Sequence, residues 1–334
     1  MTPESRDVWA MADLATPFAV RTAATLRVPD IVRDGPVPLD EIARRCGAQP
    51  DPLGRVLRFL VHHGVFTEPE PNVFGPNKAS NALLSDLPGG PHAWLDLDGA
   101  VGRADLAFVE LIEQVRGHHP AYPAAFGRSF WEDLAHSPQL AESFDSLMET
   151  KTHGIASLIA TAHDWNRYDR VADIGGGNGA VLAEILKAHP NLRGVLVDLA
   201  GPARNAPQHL QEEGVRDRAE VVTANLFEPF PVHADAAILC DVLGDWEDAD
   251  ATRLLSHCAE AVSPDGRVLV IEMLPEAGQM AVFTEMDLRM MVYVGGRMRD
   301  LDQLEQIVEA AGLAAVDVTP MDNGYTIVEC ERSS

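Results

Sequence analysis

The sequence predicts a doubly wound α/β domain behind an N-terminal, all-helical segment of winged-helix type. Three observations carry this. A short apolar strand, Val171 to Ile174, runs straight into the glycine loop Gly175 to Gly179. After Tyr168, apolar strands alternate with helical stretches. Before Gly90, two short helices are followed by two extended stretches about Glu68-Pro69-Glu70-Pro71. These divide the chain into 1–90, 91–166 and 167–334.

In the first region Val8, Trp9, Met11, Leu14 and Phe18 recur at helical spacing, and the helix should bend or end near Pro17. A short helix opens at Leu39. Another starts at Asp51, with Pro52 in its first turn; it puts Leu53, Val56, Leu57 and Leu60 on one face and stops at Gly64. Val65 to Thr67 and Asn72 to Phe74 then form the wing. The middle region is helical, broken at Pro120 and Pro123, and aromatic: Trp94, Phe108, Phe126, Phe130, Trp131 and Phe144. Such rings are core, or they wall a flat pocket.

In the third region strands are expected at 171–174, 194–197, 221–223, 236–239 and 268–272, with two closing strands about Val316 and Ile327. Helices are expected over 180–188, 250–262 and 301–311. That alternation predicts a parallel sheet. No internal repeat is visible.

Composition narrows the function. A net charge of −25 repels phosphate backbones, which argues against nucleic acid as a partner. No apolar run is long enough to span a membrane, and the N-terminus has no basic, then apolar, leader, so a cytoplasmic protein is expected. The four cysteines, Cys46, Cys240, Cys258 and Cys330, form no CxxC pair, and no metal site is expected.

A glycine loop between strand and helix lets backbone approach a ligand closely. Gly175, Gly177 and Ala180 also fit the dinucleotide pattern, so the loop alone leaves a nicotinamide dehydrogenase open. Two carboxylates help to decide. Asp198 ends the second strand, where ribose hydroxyls would come. Asp173 stands two residues before the first glycine, poorly placed beside a pyrophosphate and well placed beside an ammonium. S-adenosylmethionine carries an ammonium and a sulfonium, and no phosphate.

Four stretches carry a resemblance: Val171 to Gly179, Leu243-Gly244-Asp245-Trp246-Glu247-Asp248, Pro264 to Glu272, and Gly295-Gly296-Arg297. In this order they resemble the small-molecule O-methyltransferases, plant caffeate and hydroxyindole enzymes and bacterial antibiotic-tailoring enzymes among them. Thr284 to Met291 looks most like the aromatic-polyketide branch. The resemblance spans nearly the whole chain. It implies a class I methyltransferase-like Rossmann sheet, an N-terminal dimerisation domain, a homodimer, S-adenosyl-L-methionine as cofactor and a small aromatic substrate.

The resemblance also assigns residues. Gly175 and Gly177 would lie against the methionine part and Asp198 on the ribose. Leu226 would pack on adenine, with Asn225, in place of the family's aspartate, accepting from its amino group or capping its own loop. Trp246 would close the cofactor pocket. Phe130, Trp131, Met148, Met286, Asp287 and Met290 would line the substrate pocket. Arg289 or Arg297 would pair with a substrate carboxylate or with another element.

The chain departs from the pattern at the base. The family's histidine before Asp-Trp is Gly244 here, and a second family glutamate is Met298. Glu272 survives; Asp241, at the carboxyl end of the fourth strand, and His153 are further candidates. General-base help is worth roughly 10²–10⁴ in rate and positioning roughly 7–11 kcal/mol, so methylation by positioning of a phenolic hydroxyl is expected, and glycine at 244 should leave room for a bulky substrate. A hydroxylase or decarboxylase with a non-catalytic cofactor, and a DNA-binding regulator, are the competing readings.

Overall fold

The computed structural model describes residues 8–87, 89–117, 119–274 and 280–333. The chain forms two compact units, one ending at Leu106 and the other beginning at Ala107.

The N-terminal unit has the expected helices and a hairpin, but its first strand runs through Thr67–Glu70, residues expected in the turn, and a third strand joins it. The opening helix breaks earlier than Pro17: Val8–Met11 is one turn, and Ala15–Thr25 is the helix proper. Asp13 causes the break, because its carboxylate accepts the Ala15 and Thr16 N–H groups at 2.9 and 3.0 Å. Pro17 then sits in the first turn, where no intrahelical donor is missed. Helices Leu39–Cys46 and Pro50–His62 follow. Strands β1 (Val37–Pro38), β2 (Thr67–Glu70) and β3 (Val73–Gly75) form an antiparallel sheet in the order β1-β3-β2. Leu57, Leu60, Phe66, Phe74 and Ile42 close its core.

In the second unit, helices Ala121–Phe126, Phe130–His136 and Pro138–Ala162 precede the sheet. Ser129 and Glu132 form a capping box at the start of the second. The sheet comprises β4 (Arg170–Ile174), β5 (Arg193–Asp198), β6 (Ala219–Thr223), β7 (Ala234–Cys240), β8 (Val262–Met273), β9 (Leu313–Pro320) and β10 (Tyr325–Arg332). Its order is β6-β5-β4-β7-β8-β10-β9. Helices Ala180–Ala188, Asp248–Ala261 and Leu301–Ala310 connect the strands. Apolar clusters cover both faces, which is why β4, β5 and β7 read as nearly continuous apolar runs.

The sheet is not wholly parallel, as the alternation had implied. β10 runs antiparallel to both β8 and β9. The turn between β9 and β10 is too short for a crossover helix, so the last strand can only fold back as a hairpin and insert between β8 and β9. The Pro264-Asp265-Gly266 turn is likewise absorbed into β8 as an irregularity facing β7. Helix Met280–Val294 gave no separate periodic signal.

Among the described residues no helix is long and apolar enough to cross a membrane, and no cluster of metal-ligating side chains occurs.

Candidate active site

The parallel strands end at one edge, and the chain reverses between β4 and β7, the switch point where such sheets bind ligands. At that edge β4 delivers the glycine loop. Gly175 takes a positive φ of 74° and donates its N–H to Val197 O at 2.8 Å; a Cβ there would meet Val242 Cγ2 at 2.8 Å. Gly176 is required for a different reason. Its missing Cβ would stand 2.5 Å from Asp173 Oδ2. The buried carboxyl of Asp173 therefore fills the space beside the loop.

Asp173 Oδ2 has no hydrogen-bond partner among the described residues. Burial, with Asp198 adding, pushes this carboxyl up to about 7. A buried acceptor left unpartnered is costly, and a cationic ligand head would satisfy it. Asp198 accepts from Gly177 N at 2.9 Å and Leu199 N at 2.6 Å, which leaves lone pairs for further donors; burial raises its pKa too. The unpartnered Asp173 oxygen and this loop fit the ammonium and ribose of S-adenosylmethionine and offer nothing to a diphosphate beyond backbone.

Leu226 is buried beyond β6. Asn225 Oδ1 accepts from Phe227 N at 3.1 Å, the loop-capping arrangement. Trp246 packs edge-on against Phe227 (4.6 Å) and is stacked with Trp131 (6.4 Å). Phe130 meets Trp131, Phe144 and Tyr122 edge-on at 5.2–5.5 Å. Phe130 is thus buried core, whereas Trp131 is half-buried and its Nε1 has no partner among the described residues. Met148, Met286 and Met290 are half-buried. Asp287 accepts from Met298 N at 2.9 Å, anchoring the loop after helix Met280–Val294.

The other end of the edge is built around the missing base. Leu243–Asp245 forms a 3₁₀ turn, and Leu243 N donates to Glu272 Oε1 at 2.9 Å. A Cβ on Gly244 would lie 3.1 Å from Met298 Sδ and 3.9 Å from Glu272 Oε2. The two departures from the family pattern therefore face each other. A side chain at 244 would have to displace the Met298 thioether by a few tenths of an ångström. Arg299, buried, ties the turn down: its guanidinium donates to Leu243 O (2.8 Å), Trp246 O (2.8 Å) and Asp248 (2.9 Å). Arg297 pairs with Asp248 at 3.0 Å, and Arg289 with Glu285 and the Tyr293 hydroxyl.

Asp241 holds a positive φ of 54°. Its Oδ2 meets Lys151 Nζ at 3.0 Å and the Tyr325 hydroxyl at 2.8 Å. Burial, with Asp241 nearby, pushes Glu272 up; burial pushes Asp245 up to about 7, with Lys151 opposing. His257, within helix Asp248–Ala261, packs edge-on against Phe230 at 5.9 Å. His153 belongs to helix Pro138–Ala162, but its side chain lies outside the described residues. Sequence reading missed Lys151, Tyr325, Asp245 and Arg299. Lys151, two residues before His153, carried no local signal, and Tyr325 reaches the site only because β10 inserts beside β8.

The inserted reversed strand, the glycine loop and the acidic cup define a class I methyltransferase fold. The O-methyltransferase domain family matches residues 108–314, and the O-methyltransferase dimerisation domain matches residues 9–86. The chain belongs to this family and is an S-adenosylmethionine-dependent O-methyltransferase. It is 44% identical over 312 residues, 93% of each chain, to the 2,7-dihydroxy-5-methyl-1-naphthoate 7-O-methyltransferase of Streptomyces carzinostaticus. It is 41% identical to the aclacinomycin 10-hydroxylase RdmB of Streptomyces purpurascens, covering 91% of this chain and 83% of that protein. The crystal structure of the O-methyltransferase NcsB1 with S-adenosyl-L-homocysteine and 1,4-dihydroxy-2-naphthoic acid superposes with a TM-score of 0.92, 43% identity, and coverage of 98% and 99%.

Proposed function

We propose that the protein methylates a phenolic hydroxyl of an aromatic polyketide-type natural product of the hydroxynaphthoate class, chiefly by positioning. The observation that carries this is the pairing of an acidic cup, with its unpartnered Asp173 oxygen, and an aromatic wall of Trp131 and Trp246. The naphthoate named for the relative and for the NcsB1 complex supports the substrate class.

In this reading Asp173 holds the methionine ammonium, Gly175 and Gly177 give it room, Asp198 takes the ribose hydroxyls, and Leu226 and Asn225 border the adenine. Bound S-adenosylmethionine supplies an electrophilic methyl carbon. Trp131, Trp246, Met148, Met286 and Met290 hold a flat ring and exclude water, and methionine suits this because it adapts its shape. Phe130 and Asp287 support that wall from behind. Glu272, Asp241 and His153 are the candidates for handling the phenol proton. Burial raises the Glu272 carboxyl, which favours its protonated, hydrogen-bond-donating form.

The reading includes a cytoplasmic homodimer. The match of 9–86 to a dimerisation domain supports it, as do the exposed Val8, Met11, Leu14 and Phe18 and the unpaired cysteines. It takes 1–90 as the dimerisation domain, 91–166 as a helical linker to the pocket and 167–334 as the cofactor domain.

Mass analysis of turnover on hydroxynaphthoic acids tests the chemistry. The expected result is a gain of one methyl with release of S-adenosylhomocysteine. Gly244 and the likeness to a hydroxylase favour a second reading, and a gain of oxygen with the cofactor unchanged would establish that instead.

A further inference from the structure

We infer that Lys151 meets the acceptor oxygen of the substrate and holds it as an oxyanion, replacing by electrostatic stabilisation the proton abstraction that position 244 cannot perform. The inference rests on the phenolic-substrate reading above.

Phe144, Met148 and Lys151 follow one another at helical spacings of four and three, so they share one face of helix Pro138–Ala162. Phe144 packs edge-on against Trp131 at 5.7 Å. The lysine therefore stands at the end of the aromatic wall, where the wall meets the acidic ring. Its ammonium is held at 3.0 Å by Asp241 Oδ2, which also accepts from Tyr325. Tyr325 is a second partner of the lysine. An ammonium has three N–H groups, so one remains for an incoming acceptor. The side chain as a whole keeps 32% exposure, while its ammonium end is drawn in against Asp241 and Tyr325.

The arrangement is held under backbone strain. Asp241 sits in the left-handed region, sparsely populated for any residue with a Cβ, while its N–H donates to Ile271 O at 3.0 Å. A surface ion pair needs no such placement. The charged and titratable groups around Lys151 are Asp241, Tyr325, Glu272, Asp245 and Cys240, and its charge reaches all of them. Glu272 is the carboxyl that faces Gly244. Burial alone would discharge the lysine, but Asp241 and Tyr325 keep its pKa well above the ordinary value. A permanent cation thus stands next to the place where a base is absent. The ionisation balances without a protein base: the phenol O–H breaks, its electron pair stays on oxygen, and the proton goes to solvent water.

The test uses full-length protein saturated with S-adenosylhomocysteine and 7-hydroxynaphthoic acid as probe, with naphtholate absorbance followed against pH. The wild type should lower the midpoint of the bound probe by about one unit or more, a tenfold change in ionisation. Lys151→Met should return it toward the free value and cut turnover at neutral pH about tenfold, with recovery at higher pH. Lys151→Arg should keep the low midpoint. Because Lys151→Met strands Asp241, Lys151→Met/Asp241→Asn is measured beside it and should behave alike. An unchanged midpoint in these neutral variants overturns the inference, as does a loss confined to S-adenosylhomocysteine affinity. If the wild type binds the adenosyl compound but neither binds nor methylates any hydroxynaphthoate, the substrate reading fails first and takes this inference with it.

Discussion

The two ends of the sheet edge differ in how they are built. The proposed cofactor end, at β4 and β5, comes from a contiguous stretch: Asp173, Gly175, Gly176 and Gly177, with Asp198 one strand away. The acceptor end, at β7 and β8, is assembled from Lys151, Asp241, Gly244, Glu272, Met298 and Tyr325, drawn from across the second unit. At the first end a carboxylate waits without a partner. At the second, Lys151, Asp241 and Glu272 each have a partner among the described residues. In this chain, then, one end of the sheet edge is encoded in a local motif and the other is assembled from residues remote in sequence.

The largest effect should come from Gly176→Ala. A Cβ there would collide with Asp173 Oδ2, and displacing a buried carboxylate from a cationic partner costs about 2–5 kcal/mol. Calorimetry should show S-adenosylhomocysteine affinity falling roughly 30-fold or more, with the circular dichroism spectrum retained. Normal affinity would mean that Asp173 does not face the cofactor.

Gly244→His sharpens the contrast at the other end. Restoring the family histidine should not restore a base, because Met298 Sδ already lies 3.1 Å from the required Cβ. Overpacking of this kind costs about 1–3 kcal/mol. Thermal unfolding should move down, and turnover should not rise. A more active, equally stable variant would show that the space is open after all.

A smaller effect separates the ends by pH. Asp173 and Asp245 are both pushed up to about 7, each mainly by burial. The folded protein therefore keeps protons that the unfolded chain releases near the ordinary carboxylate range. The stability they contribute is fully present below that range and is lost as pH rises toward and through about 7. The melting temperature of the free protein should fall between pH 5 and 8. Saturating S-adenosylhomocysteine should flatten the fall, because its ammonium compensates Asp173. A melting curve that rises over this window would contradict the burial argument.

Much of this molecule could be read from its sequence, and the gaps have physical causes. The strand-to-loop run at Val171 to Gly179 and the apolar β5 and β7 carry their own signals, since buried parallel strands are apolar throughout. The reversed β10 does not, because direction in a sheet is set by the length of a connection rather than by composition. Asp173 was legible because its neighbour in space, Gly176, is also its neighbour in sequence. Lys151 was not, because its partners Asp241 and Tyr325 are remote in the chain. Gly244 could be seen as a missing histidine, but only packing reveals that Met298 Sδ lies 3.1 Å from where its Cβ would stand.

In the proposed mode of binding, the Asp173 carboxylate receives the positively charged head of the cofactor. Asp173→Asn keeps the shape and removes the charge. Titration calorimetry of S-adenosylhomocysteine into wild type and variant should give an affinity lower by about tenfold or more in the variant. Equal affinities would contradict the account.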